Sequence, residues 1–161
     1  MRVCVLGLWH LGTVTAACLA SGGHDVTGLD FDATVVAGLA AGTPPLFEPG
    51  LEDLVRAGLA TGRLCFTTDV AAAVGDAEVV WVAYDTPVDD EDRADVDFVI
   101  DRAARVFPYL PDHALVLISS QVPVGTTRRL EQSFASQSQR TTVGFGYSPE
   151  NLRLGEAVGR F

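Results

Sequence analysis

The chain has 161 residues, 48% of them hydrophobic, which is within the ordinary size of one domain and enough to bury a sizeable core. Its 21 acidic residues face 11 basic ones, all Arg, giving a net charge of −10. That excludes the positive surface a nucleic-acid binder uses to displace counterions, and the lack of Lys removes lysine Schiff-base chemistry. Mean hydropathy is +0.25 and no apolar run approaches the ~20 residues that cross a bilayer, so a disordered or membrane-spanning chain is excluded.

Met1 to Leu8 is apolar and runs into a glycine loop rather than a small-residue cleavage site, so it reads as a strand (2–6) and not as a leader. A helix follows over 12–21, with Val14, Ala17, Cys18 and Ser21 on one small-residue face, and Gly22-Gly23 stop it. The second strand, 25–29, ends in Asp30. A helix over 33–41 carries Val35, Val36 and Leu39, and Gly42 closes it. After a Pro-rich loop (43–50) the pattern predicts a helix over 51–61, a strand over 64–66 and one or two helical turns at 70–74.

Residues 78–84 form a continuous apolar run, the signature of a strand buried on both faces. Asp95 caps a helix whose apolar face is Val96, Val99, Ile100, Ala103 and Phe107, and Pro108 ends it. A fifth strand at 114–118, a helix at 126–136 and a short sixth strand at 142–145 complete the series. Strands alternating with helices imply parallel β-α-β units. The expected fold is α/β, a doubly wound (Rossmann-like), mostly parallel six-stranded sheet with helices on both faces, in one domain over 1–161. Cys4, Cys18 and Cys65 are odd in number and lack metal-ligand spacing. They read as small core residues in a reducing cytosol, and no metal site is expected. Eight carboxylates between Asp85 and Asp101 read as a solvated acidic loop leading into a helix N-terminus.

The loop after the first strand is Gly7-Leu8-Trp9-His10-Leu11-Gly12, in the frame of the dinucleotide fingerprint. Its first Gly makes the tight turn, its last lets helix and strand pack closely, and the helix N-terminus faces the pyrophosphate. Asp30, 18 residues beyond Gly12, is placed to accept from the adenosine ribose and to favour NAD over its 2′-phosphorylated form. Trp9 occupies the third position, where Gly ordinarily lets backbone N–H groups approach the phosphates. Its indole can swing outward over the crevice or inward across the pyrophosphate site. Trp81 is expected to be buried.

The ordered set Gly7 to Ala20, Gly22-Gly23-His24-Asp25-Val26, Asp30, Phe47-Glu48-Pro49-Gly50-Leu51, Thr67-Thr68-Asp69, Thr86-Pro87, Arg93-Ala94-Asp95, Val122-Pro123-Val124-Gly125-Thr126 and Pro149-Glu150 resembles one family throughout the chain. That family is the UDP-glucose/GDP-mannose dehydrogenases, and the likeness is to its N-terminal NAD-binding domain. The resemblance implies a cytoplasmic, homo-oligomeric parent that oxidises the C6 alcohol of a nucleotide sugar to a carboxylate. Two hydrides would pass to NAD, with a cysteine-bound thioester between the steps. None of the three cysteines here matches the nucleophile, so the chain looks like the cofactor domain of a longer parent whose substrate-binding and C-terminal domains it lacks.

By the same resemblance the cofactor-binding residues are Gly7, Trp9, His10, Leu11, Gly12, Asp30, Thr86 and Gln121, and those nearest the chemistry are Glu150 and Gln121. Several positions depart from the family pattern. Trp9 and Asp85 stand where the family has Gly, Gln121 where it has Thr, Ser148 where it has Asn, Asn151 where it has Phe, and Leu154 where it has an acid. In the family that Thr and that acid help organise a catalytic water; Gln121 still carries hydrogen-bonding groups, and Leu154 has none. Two other readings stand beside this one: the cofactor domain of a different NAD-dependent dehydrogenase, and a non-catalytic nucleotide-binding or assembly module.

Overall fold

The computed structural model describes residues 1–149 and 151–161. Six strands, β1 (Arg2–Leu6), β2 (Asp25–Leu29), β3 (Leu64–Thr67), β4 (Val79–Val82), β5 (Leu115–Ile118) and β6 (Gly144–Tyr147), form one sheet in the order β3-β2-β1-β4-β5-β6. Every pairing is parallel. The helices are α1 (His10–Ser21), α2 (Ala33–Ala40), α3 (Leu51–Thr61), α4 (Val70–Val74), α5 (Val96–Ala104), α6 (Thr126–Gln137) and α7 (Ala157–Arg160).

Successive side chains on a strand point to opposite faces, and the two cores follow from that period. Cys4 and Leu6 of β1 and Val80 and Val82 of β4 pack with Val74 of α4, Val99 and Ala103 of α5, and Leu130 and Phe134 of α6. Val3 and Val5 of β1 face the other way and join Val14 and Ala17 of α1, Leu39 of α2, Val55 of α3 and Ala157 of α7. Each fully buried Leu or Val contributes about 1.5–3 kcal/mol of transfer free energy, so both faces are strongly specified. Small residues let α1 lie close: a Cβ on Gly58 of α3 would sit 3.6 Å from the Ala20 Cβ. On α1 itself Val14 and Ala17 are buried, Cys18 is half-buried and Ser21 is exposed.

Four details differ from the sequence reading. Helix α1 begins at His10, two residues early. Helix α5 stops at Ala104, and Phe107–Tyr109 tighten into a separate 3-10 turn holding Pro108. The last strand is Gly144–Tyr147 rather than 142–145, although Thr141, Thr142 and Val143 have the stronger β-propensity. Pairing decides it: β5 aligns Leu115 with Gly144 and Leu117 with Gly146, and a Cβ on either glycine would lie 3.5 Å from a leucine Cδ1. The two leucines therefore lie over the glycines. Finally, Cys65 is exposed and Trp81 is half-buried, neither being a closed core position.

Candidate functional site

Strand order reverses between β1 and β4, and in open α/β sheets the crevice outside the carboxyl ends at that point is where ligands sit. The β1–α1 loop floors it. Gly7 adopts φ +93°, and its N–H donates to the Leu29 carbonyl. A Cβ on Gly7 would come within 2.8 Å of the Tyr84 ring, and one on Gly12 would lie 1.6 Å from the Gly7 carbonyl oxygen. Both positions exclude any side chain. The loop is further held by the Thr13 hydroxyl, which donates to the Leu8 carbonyl at 2.8 Å; sequence reasoning did not single out Thr13.

Helix α1 starts without a side-chain cap. Asp32, Asp69 and Asp95 accept backbone N–H groups at the starts of α2, α4 and α5, a contact typically worth about 0.5–2 kcal/mol. The corresponding position of α1 is Trp9, which makes no such bond, and the first turn carries no acid. The leading N–H groups and the positive end of the helix dipole therefore face the crevice, an anion-binding arrangement. Trp9 is 49% exposed, so its indole stands out toward solvent.

Asp30 closes β2. Its Oδ2 accepts the Leu8 N–H at 2.7 Å and its Oδ1 the Asp32 N–H at 3.0 Å. It borders an open groove of about 580 Å³ lined also by Phe31, Thr34, Tyr84, Phe98 and Arg102. Two cations from α5 and its end reach this groove: Arg102 lies 5.4 Å and Arg105 4.7 Å from the Phe31 ring centroid. Neither was visible as a site residue in the sequence. Burial, with Asp30's charge, pushes the Tyr84 hydroxyl up, and that hydroxyl has no hydrogen-bond partner among the described residues.

On the far side, the Thr86 hydroxyl donates to the Gln121 carbonyl at 2.7 Å and ties the loops after β4 and β5 together. Asp85 is exposed at the same edge. Desolvation raises its carboxyl, opposed by the charge of His10 and by its own backbone N–H. His10 in turn meets Glu48, with Nε2 3.1 Å from Oε2. Glu48 is only 4% exposed and also accepts the Gly155 and Ala157 N–H groups, at 2.7 and 2.9 Å. Burial raises its carboxyl, but the Gly155, His10 and Ala157 hydrogen bonds and the His10 charge outweigh it and hold the group below the usual carboxylate range. The fingerprint residues, Asp30, Thr86 and Gln121 thus meet at one edge. Glu150 lies outside the described residues, and Leu154 is exposed. Burial raises the thiols of Cys4 and Cys18, Cys65's charge adding to the effect on Cys4, so both stay protonated.

An all-parallel sheet in this order, with an uncapped, glycine-led helix at the switch point and an acid closing the second strand, defines a dinucleotide-binding domain. Residues 1–161 match the model of the UDP-glucose/GDP-mannose dehydrogenase family, NAD binding domain, and the chain belongs to that family. It is 39% identical over 165 residues to the UDP-glucose 6-dehydrogenase of Pseudomonas aeruginosa, covering 100% of this chain and 36% of that protein. Among solved structures it is similar to a GDP-mannose dehydrogenase from Pseudomonas aeruginosa (TM-score 0.88, 30% identity, 99% of this chain and 38% of that one). It is also similar to a UDP-glucose dehydrogenase from Pyrobaculum islandicum (TM-score 0.86, 33% identity, 99% and 38%). The chain spans little more than a third of the length of the relatives it matches. No helix among the described residues is long and apolar enough to cross a membrane.

Proposed function

We propose that residues 1–161 form one domain that holds NAD within a nucleotide-sugar 6-dehydrogenase, whose sugar-binding and remaining catalytic groups lie in other parts of the protein. The observation that carries this reading is the uncapped start of α1, framed by two glycines with no room for a Cβ and by Asp30. When bound, NAD supplies a hydride acceptor. The backbone N–H groups at Trp9, His10 and Leu11 would hold the pyrophosphate, with Gly7 and Gly12 keeping the approach clear. Asp30 would accept from the ribose hydroxyls. Thr86 and Gln121, already joined, would close the crevice toward the nicotinamide, and Gln121 and Glu150 would face the sugar. A nucleotide sugar as substrate follows the names of the relatives, and a cytoplasmic setting suits three unpaired cysteines. Association into a homo-oligomer belongs to the same reading.

The exposed Leu154, standing where the family has an acid, supports a second reading: a nucleotide-holding module without the usual oxidation. Two measurements test what the readings share, and a third separates them. Calorimetry should show NAD binding to the chain, and loss of binding at millimolar cofactor overturns the first reading. With NAD and UDP-glucose the chain alone should give no absorbance from reduced cofactor, because Cys4 is buried and Cys18 half-buried, both held protonated, while Cys65 lies on the edge strand β3 beside Arg63 and away from the carboxyl edge of the sheet. Restoring the acid, Leu154→Glu, in the full-length protein should raise turnover under the second reading and leave it little changed under the first.

A further inference from the structure

Glu48 joins three parts of the chain that are far apart in sequence. It sits in the loop between α2 and α3 and bonds His10, 38 residues before it, and Gly155 and Ala157, 107 and 109 residues after it. Its neighbour Phe47 is 86% exposed, so the loop turns the carboxylate inward and the aromatic ring outward. Burying a carboxylate against an imidazole is a poor way to gain stability, since desolvation offsets most of the attraction and an apolar replacement often does as well. A polar clasp at this point therefore calls for a role beyond holding the fold.

Its location supplies one. His10 is the first residue of α1, so the imidazole held by Glu48 hangs from the backbone that faces the crevice. With Glu48 ionised, Nε2–H is the donor in that contact. Gly155 reaches the same carboxylate from a left-handed conformation, φ +89°, and belongs to the stretch between Pro149 and α7 that also holds Leu154. An anion at the α1 N-terminus meets the backbone that carries His10, and the His10 side chain bonds Glu48, which leads away from the crevice.

We propose that Glu48 is a positioning residue that couples occupancy of the glycine loop, through the His10 imidazole, to the conformation of residues 155–157. This rests on the reading of the crevice as an NAD site. Coupling of this kind is reciprocal: ordering 155–157 would tighten the cofactor by the same factor that the cofactor stabilises 155–157.

The test is amide hydrogen exchange of the ¹⁵N-labelled chain, followed by NMR at Gly155 and Ala157 with and without saturating NAD. In the unaltered chain NAD should slow exchange at both amides by about fivefold or more, the low end of ordinary coupling factors. His10→Phe keeps a ring but loses the donor, so saturating NAD should leave the two amides unchanged. His10→Gln restores an N–H donor at the same reach and should recover the response, which a purely steric role for the ring would not produce. Exchange that ignores NAD in the unaltered chain, although calorimetry shows binding, overturns the coupling and leaves the cofactor reading standing. A full response in His10→Phe does the same. Absence of any NAD binding overturns both.

Discussion

The Oδ2 of Asp30 accepts the Leu8 N–H at 2.7 Å, so the acid that ends β2 is fastened directly to the glycine loop that ends at α1. One carboxylate thereby sets the geometry of the loop and offers its remaining lone pairs to a ligand. Asp30→Ala should weaken NAD by about tenfold or more, roughly 1.4 kcal/mol, through loss of the ribose contact and of the loop fastening. In the unaltered chain NAD should bind more tightly than its 2′-phosphorylated form, since Asp30 repels that phosphate. The preference should shrink in Asp30→Ala, because one repelling carboxylate is gone while the positive charges of Arg102 and Arg105 remain beside Phe31. Calorimetry with both dinucleotides on both proteins reads all four affinities; equal affinities in the unaltered chain remove Asp30 from the site.

Trp9 carries an indole of roughly 200 Å² where the phosphates need an unobstructed approach. Standing half exposed at the mouth, it narrows that approach without filling the loop. Trp9→Gly should tighten NAD by about tenfold, or roughly 1.4 kcal/mol. NAD should also quench the fluorescence of the unaltered chain. Trp81, whose indole N–H donates to the Ser119 hydroxyl at 2.8 Å, supplies the background. Unchanged or weaker affinity in Trp9→Gly would mean that the indole is itself a cofactor contact.

Gly12 and Gly23 offer a controlled comparison. A Cβ on Gly12 meets the Gly7 carbonyl at 1.6 Å, whereas one on Gly23 meets nothing within 4 Å although φ there is +92°. Gly12→Ala must push α1 away from the loop and should cost at least the about 1–3 kcal/mol of an overpacked core, with NAD binding lost as well. Gly23→Ala should cost about 1 kcal/mol from backbone conformation alone and leave NAD affinity unchanged. Denaturant midpoints paired with titrations distinguish the two.

Because Glu48 is held below its ordinary 4.5, the folded chain binds its proton less readily than the unfolded chain does. Its stabilising contribution is therefore fully present above about pH 4.5 and is lost as pH falls through the lower, folded value. Glu48→Gln should lower stability at pH 7, because the amide leaves one of three donors without an acceptor, at about 1–3 kcal/mol. It should also flatten the acid limb of the stability curve. Denaturation between pH 3 and pH 7 checks both, and an acid limb of unchanged slope would take Glu48 out of the acid transition.

Much of this molecule was readable one segment at a time. The strand and helix series, the doubly wound sheet, the Asp95 cap and the glycine frame all follow from short-range periodicity and backbone sterics, which act within a few residues. Gly12 could be assigned to close packing from spacing alone, because the last Gly of the frame is where the first turn of the helix comes against the end of the strand. Tertiary structure decided what depends on pairing between distant segments. The β6 register moved to Gly144–Tyr147 because pairing with β5 sets Leu115 opposite Gly144 and Leu117 opposite Gly146, and no propensity within residues 141–147 encodes that pairing. Arg102 and Arg105 reached Phe31 because the crossover from β4 lays α5 beside the end of β2, so a positive charge absent from the residues just after Asp30 arrived from some 70 positions away. The bonds of Glu48 to His10, Gly155 and Ala157 were likewise invisible in sequence. A buried carboxylate is identified by the donors that surround it, and here the donors come from opposite ends of the chain and meet only when the sheet has closed.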